Sequence, residues 1–313
     1  MGGARDNERY SILLFSVERT MTLLRSSVVG ALALATFGCH GDAVTNSPVV
    51  PLAAIHFVNA VPDTGQMDYR VVDIPSNAGL FDADFRGSNM FYQGIEAGGR
   101  EIRVFYSSTN PALSSVVLWD TTFSFTQDVN YTFIHTGFAR TGQTPARTVW
   151  IIPDVPPTPL ADSVGFRFIH AGAGLGNVDV NLIRKGTDTL PDTPLLANVA
   201  YGSISTYRFA KADSIQINAS TRAVTYYDTL RVVVTAVGTK TPRLFTTNAP
   251  LGSPGFSTTP AINPIAGAAI RGSVMSIVIV PRSVAGSQAP QTAAFLVPTA
   301  VYLVDKRPPN TAP

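Results

Sequence analysis

The sequence predicts an all-β chain: two tandem antiparallel β-sandwich modules behind an N-terminal signal segment. Three observations carry this. Apolar and polar residues alternate in short runs; Gly (25) and Pro (23) punctuate those runs, with helix-period patterns hard to find after Gly38; and a stretch of the first half recurs in the second. Hydrophobic residues make up 45% of the chain, enough for a globular body rather than a disordered one.

The alternation is clearest in "MDYRVVD", where Met67, Tyr69 and Val71 stand against Asp68 and Arg70. "REIRVF" sets Ile102 and Val104 against Glu101 and Arg103, and "YTFIHTG" sets Tyr131 and Phe133 against Thr132. Runs of this kind, bounded by Gly, Pro, Asn and Asp, read as half-buried strands of a sandwich or barrel.

The recurrence defines the modules. "IHFVNAVPDTGQMDYRVVD" and "FRFIHAGAGLGNVDVNLIR" align without a gap, with Phe57/Phe168, Ala60/Ala171, Gly65/Gly176 and Asp68/Asp179 identical. Further on, "RGSNMFY" matches "YGSISTY", "REIRVF" matches "DSIQINA", and "LWDTT" matches "YYDTL". "YTFIHTG" then lies over "MSIVIVP", and "VWIIP" over "AFLVP". A repeated order of strand-like segments argues for two copies of one unit. The first module is expected at 53–153, a Pro-rich linker at 154–162, the second module at 163–304 and a polar tail at 305–313. The second copy carries a long Gly/Pro/Ser/Thr-rich insertion at about 235–272, read as a loop excursion.

The N-terminus points to export. Residues 26–38 are small and apolar without charge, too short to span a bilayer and of the length of a secretory h-region. Met21 and Arg25 supply a positive n-region, so 21–38 reads as a signal peptide and 1–20 as an upstream extension; a long n-region starting at Met1 is the competing reading. Cys39, the one cysteine, follows in "ATFGCH", which resembles a bacterial lipobox at Gly38 and Cys39 but not at Thr36 and Phe37. The lipoprotein resemblance implies several acyl chains on Cys39, and at about 0.8 kcal/mol per buried methylene these anchor where one chain is marginal. Residues 39–52 would then be a tether. The alternative is ordinary secretion with an idle thiol. His40 rather than Asp follows the cysteine, which favours the outer membrane as the expected destination.

The openings of both modules, "FVNAVPDTGQMDYRVVD" and "FIHAGAGLGNVDVNLI", resemble a bacterial envelope domain of unknown function, DUF family four-three-nine-seven. Its pattern is a first strand ending in His or Asn, then Ala and often Pro-Asp, then a "VDVYV"-like second strand. Asn59 to Asp63 keep it; His170-Ala171 keep its first part, with Ala173 and Gly174 in place of Pro-Asp. The resemblance implies immunoglobulin-like sandwiches in exported proteins and brings no activity or catalytic residues.

Candidate chemistry is sparse. "GAGLGN" (172–177) lacks the third glycine of a dinucleotide fingerprint and is followed by a strand pattern, so it reads as a hairpin turn. No two histidines have metal-ligand spacing, and no metal or other cofactor is assigned. His135 falls on the core phase, and His56, opposite Phe57, on a solvated face. Asn59 and His170 hold matching places at the end of the first strand, where a polar side chain serves to bond the backbone of the following turn. Acidic pairs such as Asp82 with Asp84 or Asp63 with Asp68 lack EF-hand spacing and read as turn carboxylates. There is no GxSxG elbow, and no catalytic residue is assigned.

With a net charge of +2 and lysine only at Lys185, Lys211, Lys240 and Lys306, nucleic acid is excluded as an expected partner. The expectation is therefore a non-enzymatic, lipid-anchored envelope protein that acts as a spacer or binding module, held to the membrane through Cys39. Its contact site for an envelope protein is placed in the insertion, at Arg243, Phe245, Phe256 and Arg271, where the two phenylalanines are either partner anchors or plugs. The alternative is a glycan-binding module or glycan-active protein, with Trp119 or Tyr92 as a stacking platform.

Overall fold

In the first module, the apolar run Leu52–Asn59 (β1) leads through a Pro-Asp turn to Met67–Val71 (β2) and then Gly79–Ala83 (β3). Gln93–Glu96 (β4), Gly98–Tyr106 (β5), Val117–Phe125 (β6), Asn130–Thr136 (β7) and Thr148–Asp154 (β8) complete it. One helical turn, Pro111–Ser114 (α1), is capped by the Asn110 side chain on the Ala112 N–H. The computed structural model describes residues 49–74, 78–258 and 261–309.

The second module runs Ser163–His170 (β9), Val178–Arg184 (β10), Leu196–Val199 (β11) and Arg208–Lys211 (β12). The hairpin Ser214–Ile217 (β13) and Val224–Tyr227 (β14) follows, then Leu230–Ala236 (β15), Arg243–Asn248 (β16), Val274–Val280 (β17) and Thr299–Lys306 (β18).

Each module is two four-stranded sheets, in the orders β4-β1-β7-β8 and β3-β2-β5-β6, then β12-β9-β17-β18 and β11-β10-β15-β16. The chain is thus essentially all-β with a repeated pair of sheets, as the alternating runs imply. The expected purely antiparallel pairing needs correction. β1 pairs with β7, and β9 with β17, in parallel. Parallel strands covered on both faces read as near-continuous apolar runs, and "LAAIHFVN" and "SVGFRFIH" are such runs.

Each module closes over its own core. Phe57, Tyr69, Phe133 and Ile102 are fully buried in the first, and Phe166, Phe168, Val232 and Ile277 in the second. A third apolar cluster lies between the modules: Val58, Ile134 and Ile152 from β1, β7 and β8 meet Ile169, Val278 and Leu303 from β9, β17 and β18. Both modules fall within one compact unit, Pro51–Pro313.

Strand order also corrects the internal alignment. β15 and β16 hold in the second module the places of β5 and β6 in the first, so "REIRVF" corresponds to "LRVVVT" rather than to "DSIQINA". The elements without a counterpart are the β13–β14 hairpin and the loop 249–273. The expected excursion at 235–272 therefore contains a core strand, β16. β18, not "AFLVP", is the counterpart of β8. Asp154 and Asp305, set at the expected starts of linker and tail, are strand residues.

Candidate functional site

Asn59 and His170 stand at matching strand ends, and both bond backbone groups. Asn59 is buried; its amide donates to the carbonyls of Ala83 (3.0 Å) and Asp84 (3.1 Å), and its Oδ1 accepts from the Val61 N–H at 3.1 Å. His170 accepts the Gly172 N–H on Nδ1 (3.1 Å) and donates from Nε2 to the Gly176 carbonyl at 2.9 Å. The repeated Asp68/Asp179 has a backbone role as well. Each carboxylate accepts the N–H of a left-handed residue in the neighbouring bulged strand, Asp82 (φ 50°) at 2.9 Å and Asn198 (φ 53°) at 2.8 Å.

The four contact candidates are not brought together. Phe245 lies in the core of the second module at 8% exposure, while Arg243 bonds Asp188 at 2.8 Å. Phe256 is half-buried and exchanges backbone hydrogen bonds with Ile262 inside the loop. Arg271 is exposed and paired with Asp162 at 2.7 Å. Of the four, Arg271 alone reaches a surface groove of about 590 Å³ beside the β13–β14 hairpin. Ile215, Ile217, Pro254 and Pro264 form its apolar wall, and Lys211 and Arg271 stand at its rim. Asp213 at its base is taken up internally. It bonds Arg184 and accepts the Leu230 N–H at 3.1 Å, while burial holds its carboxyl above the ordinary range.

The chemistry that sequence reasoning missed sits in the seam between the modules. Arg167, on β9, donates to Asp154 (2.7 Å) and lies 3.8 Å from Asp305. Ser276, beside it on β17, accepts from the Arg167 Nε at 2.9 Å and donates to Asp305 at 2.6 Å. Tyr92 and Thr132 each donate to Asp154 at 2.7 Å, and Tyr207 donates to Asp305 at 2.8 Å. The set is a doubled one: His56 faces Thr132 across β1·β7 as Arg167 faces Ser276 across β9·β17. Two carboxylates thus share one guanidinium, because the copy that would supply a second has His56.

His56 corrects the solvated-face expectation. Its alternation phase is as read, but the face opposite Phe57 is covered by the second module. The ring is fully buried, stacks on Tyr92 at 3.7 Å, and lies 3.0 Å from the Asn89 carbonyl and 3.2 Å from that of Val304. Burial pulls its pKa down to about 4, so it is neutral near pH 7. Burial likewise pushes the Asp305 carboxyl up to about 7, against the opposing pull of Arg167, and its Oδ1 has no hydrogen-bond partner. Its charged centre is closed to solvent, with 5% exposure for the Arg167 side chain and none for Asp154 and Asp305, while Tyr92 and Tyr207 at its margin are half-buried. It ties the last strand of each module to the first strand of the second.

His135 packs in the first core, 3.2 Å from the Tyr69 hydroxyl, with its pKa lowered to about 3 by burial. Of the two glycan-platform candidates, Tyr92 belongs to the seam and Trp119 packs on the first core. Among the described residues no group of three His, Cys, Asp or Glu could hold a metal ion, and no helix is long and apolar enough to cross a membrane. Cys39 and the signal segment lie outside the described residues.

No curated protein matches the chain. Residues 53–181, which span the first module and run into β10 of the second, match the family described as Domain of unknown function (DUF4397).

Proposed function

We propose that the chain is a lipid-anchored cell-envelope protein, of the outer membrane, whose paired immunoglobulin-like sandwiches serve as a rigid spacer and binding module. The observation that carries the reading is the seam. Two similar modules bury their facing sheets and a charged cluster against each other, and the added elements of the second form a groove at the surface. Such a body suits display of a surface at a fixed distance from a tether. Resemblance of "ATFGCH" to a lipobox supports the anchor at Cys39. The groove's apolar wall, with Lys211 and the Arg271–Asp162 pair beside it, suits an extended, largely apolar segment of another envelope component.

The anchor is tested by mass analysis of the mature N-terminus with membrane fractionation of wild type and Cys39→Ser. Lipid mass on Cys39, with release of the variant to the soluble fraction, is expected; wild type found free and unmodified would remove the anchor. The binding role is tested by in-cell crosslinking of wild type against Lys211→Glu with Arg271→Glu. Removing 239–271 instead would take out β16 and Phe245, and so the fold. An envelope crosslink lost in the double variant is expected, and a crosslink that survives it would exclude the groove.

A further inference from the structure

The turn after the first strand differs between the two modules. In the first module the Asp63 carboxylate accepts the N–H groups of Ala139 (2.9 Å) and Arg140 (3.0 Å), just beyond β7. In the second module Gly174 stands at the place of Asp63, and Ser283 and Val284, just beyond β17, at the places of Ala139 and Arg140. Gly174 has a φ of +78°, and a Cβ there would lie 3.1 Å from Phe138. The position therefore offers no carboxylate and resists regaining one.

A cleft of about 500 Å³ lies at this turn, lined by Phe138, Gly174, Leu175, Arg282, Ser283 and Leu296 among others. The backbone N–H groups of Ser283 and Val284 have found other acceptors, the carbonyls of Phe295 (2.7 Å) and Pro62 (2.9 Å). The Ser283 hydroxyl has not: the residue is 2% exposed and its Oγ has no hydrogen-bond partner. A buried hydroxyl left unpaired is unfavourable until a ligand or water meets it. Arg282 beside it is exposed and forms no ion pair with a described carboxylate. Its guanidinium is a planar fork of donors that matches a carboxylate. The other walls are apolar, and Leu296 at the rim is 41% exposed. Size and lining are those of a small-molecule site: apolar walls and a few convergent polar groups.

We infer that this cleft binds a small organic carboxylate with an apolar body. The carboxylate sits between Arg282 and the Ser283 hydroxyl, at the turn where the first module carries the Asp63 carboxylate. The apolar body lies among Phe138, Leu175 and Leu296. A single guanidinium in an apolar cleft favours a monoanion of this kind over inorganic phosphate. This inference is independent of the anchor and of the groove beside the β13–β14 hairpin.

The test is titration of the full chain with octanoate, octan-1-ol and inorganic phosphate, by calorimetry and by the amide shifts of Leu175 and Val284. Octanoate is expected to bind one to one and move those amides, with octan-1-ol and phosphate weaker. Arg282→Gln with Ser283→Ala, an exposed change and the loss of an unpaired hydroxyl, keeps the fold and is expected to weaken octanoate at least about tenfold. Absence of octanoate binding at millimolar concentration would overturn the inference. So would equal affinity in the double variant, or phosphate binding as tightly as octanoate.

Discussion

Arg167, on the first strand of the second module, donates at 2.7 Å to Asp154, on the last strand of the first. The pair is buried, and the same guanidinium is the nearest cation to Asp305 at 3.8 Å. Removing one partner of a buried ion pair leaves an uncompensated charge, a cost of about 3–5 kcal/mol. Arg167→Met strands two carboxylates, so its melting temperature is expected to fall on the order of 10 °C. The exposed pair Lys240–Asp192 is the control, because Lys240→Met is expected to cost no more than about 1 kcal/mol. Thermal denaturation of both variants checks this; equal effects would mean the seam charge is not what holds the modules.

Asp305 gives the seam a pH dependence with a definite sign. Its folded pKa of about 7 lies above the ordinary 3.8, so between these values the native state keeps a proton that the unfolded chain has lost. Its contribution is complete below 3.8 and declines as the pH rises towards 7. The buried histidines act in the opposite sense. His56 (about 4) and His135 (about 3) lie below 6.5, so their contribution is complete above 6.5 and declines as the pH falls. Asp305→Asn removes the alkaline loss alone. Melting curves at pH 5 and pH 8 are expected to show the variant gaining on wild type at pH 8; an unchanged difference would place the Asp305 proton elsewhere.

The reach of the sequence follows from what alternation can encode. Period-two patterns mark two faces of a strand, and this placed Tyr69, Phe133 and His135 inside. The repeated Asn59/His170 position could be assigned to turn hydrogen bonds because the residue type and the strand end suffice. What alternation does not encode is which neighbour covers the second face. His56, Arg167, Asp154 and Asp305 have the residue types of a solvated surface, and only the packing of one module on the other buries them. The insertion was misplaced for a related reason. "DSIQINA" alternates as "REIRVF" does, and only long-range pairing of β15 with β10 decides which is the sheet strand.

Asn59 carries three hydrogen bonds in a fully buried place. Asn59→Leu leaves the carbonyls of Ala83 and Asp84 and the Val61 N–H without that partner. A loss of about 1–3 kcal/mol for each buried group left unsatisfied is the expected scale. Chemical denaturation is expected to show a lower midpoint with an unchanged slope, and an unshifted midpoint would remove Asn59 from the list of structural residues.

Phe245 and Arg271 separate packing from surface within one region of the second module. Phe245→Ala opens the second core and is expected to cost about 3–5 kcal/mol. Arg271→Glu meets only the exposed Asp162 and is expected to leave stability within about 1 kcal/mol of wild type. Denaturant midpoints for the two read this directly. A destabilising Arg271→Glu beside a silent Phe245→Ala would reverse the assignment.

Calorimetric unfolding tests most directly whether the two modules form one body. The buried seam predicts a single transition whose calorimetric and van't Hoff enthalpies agree to a ratio of about one. Two resolved transitions, each melting at its own temperature with Arg167 intact, would contradict it.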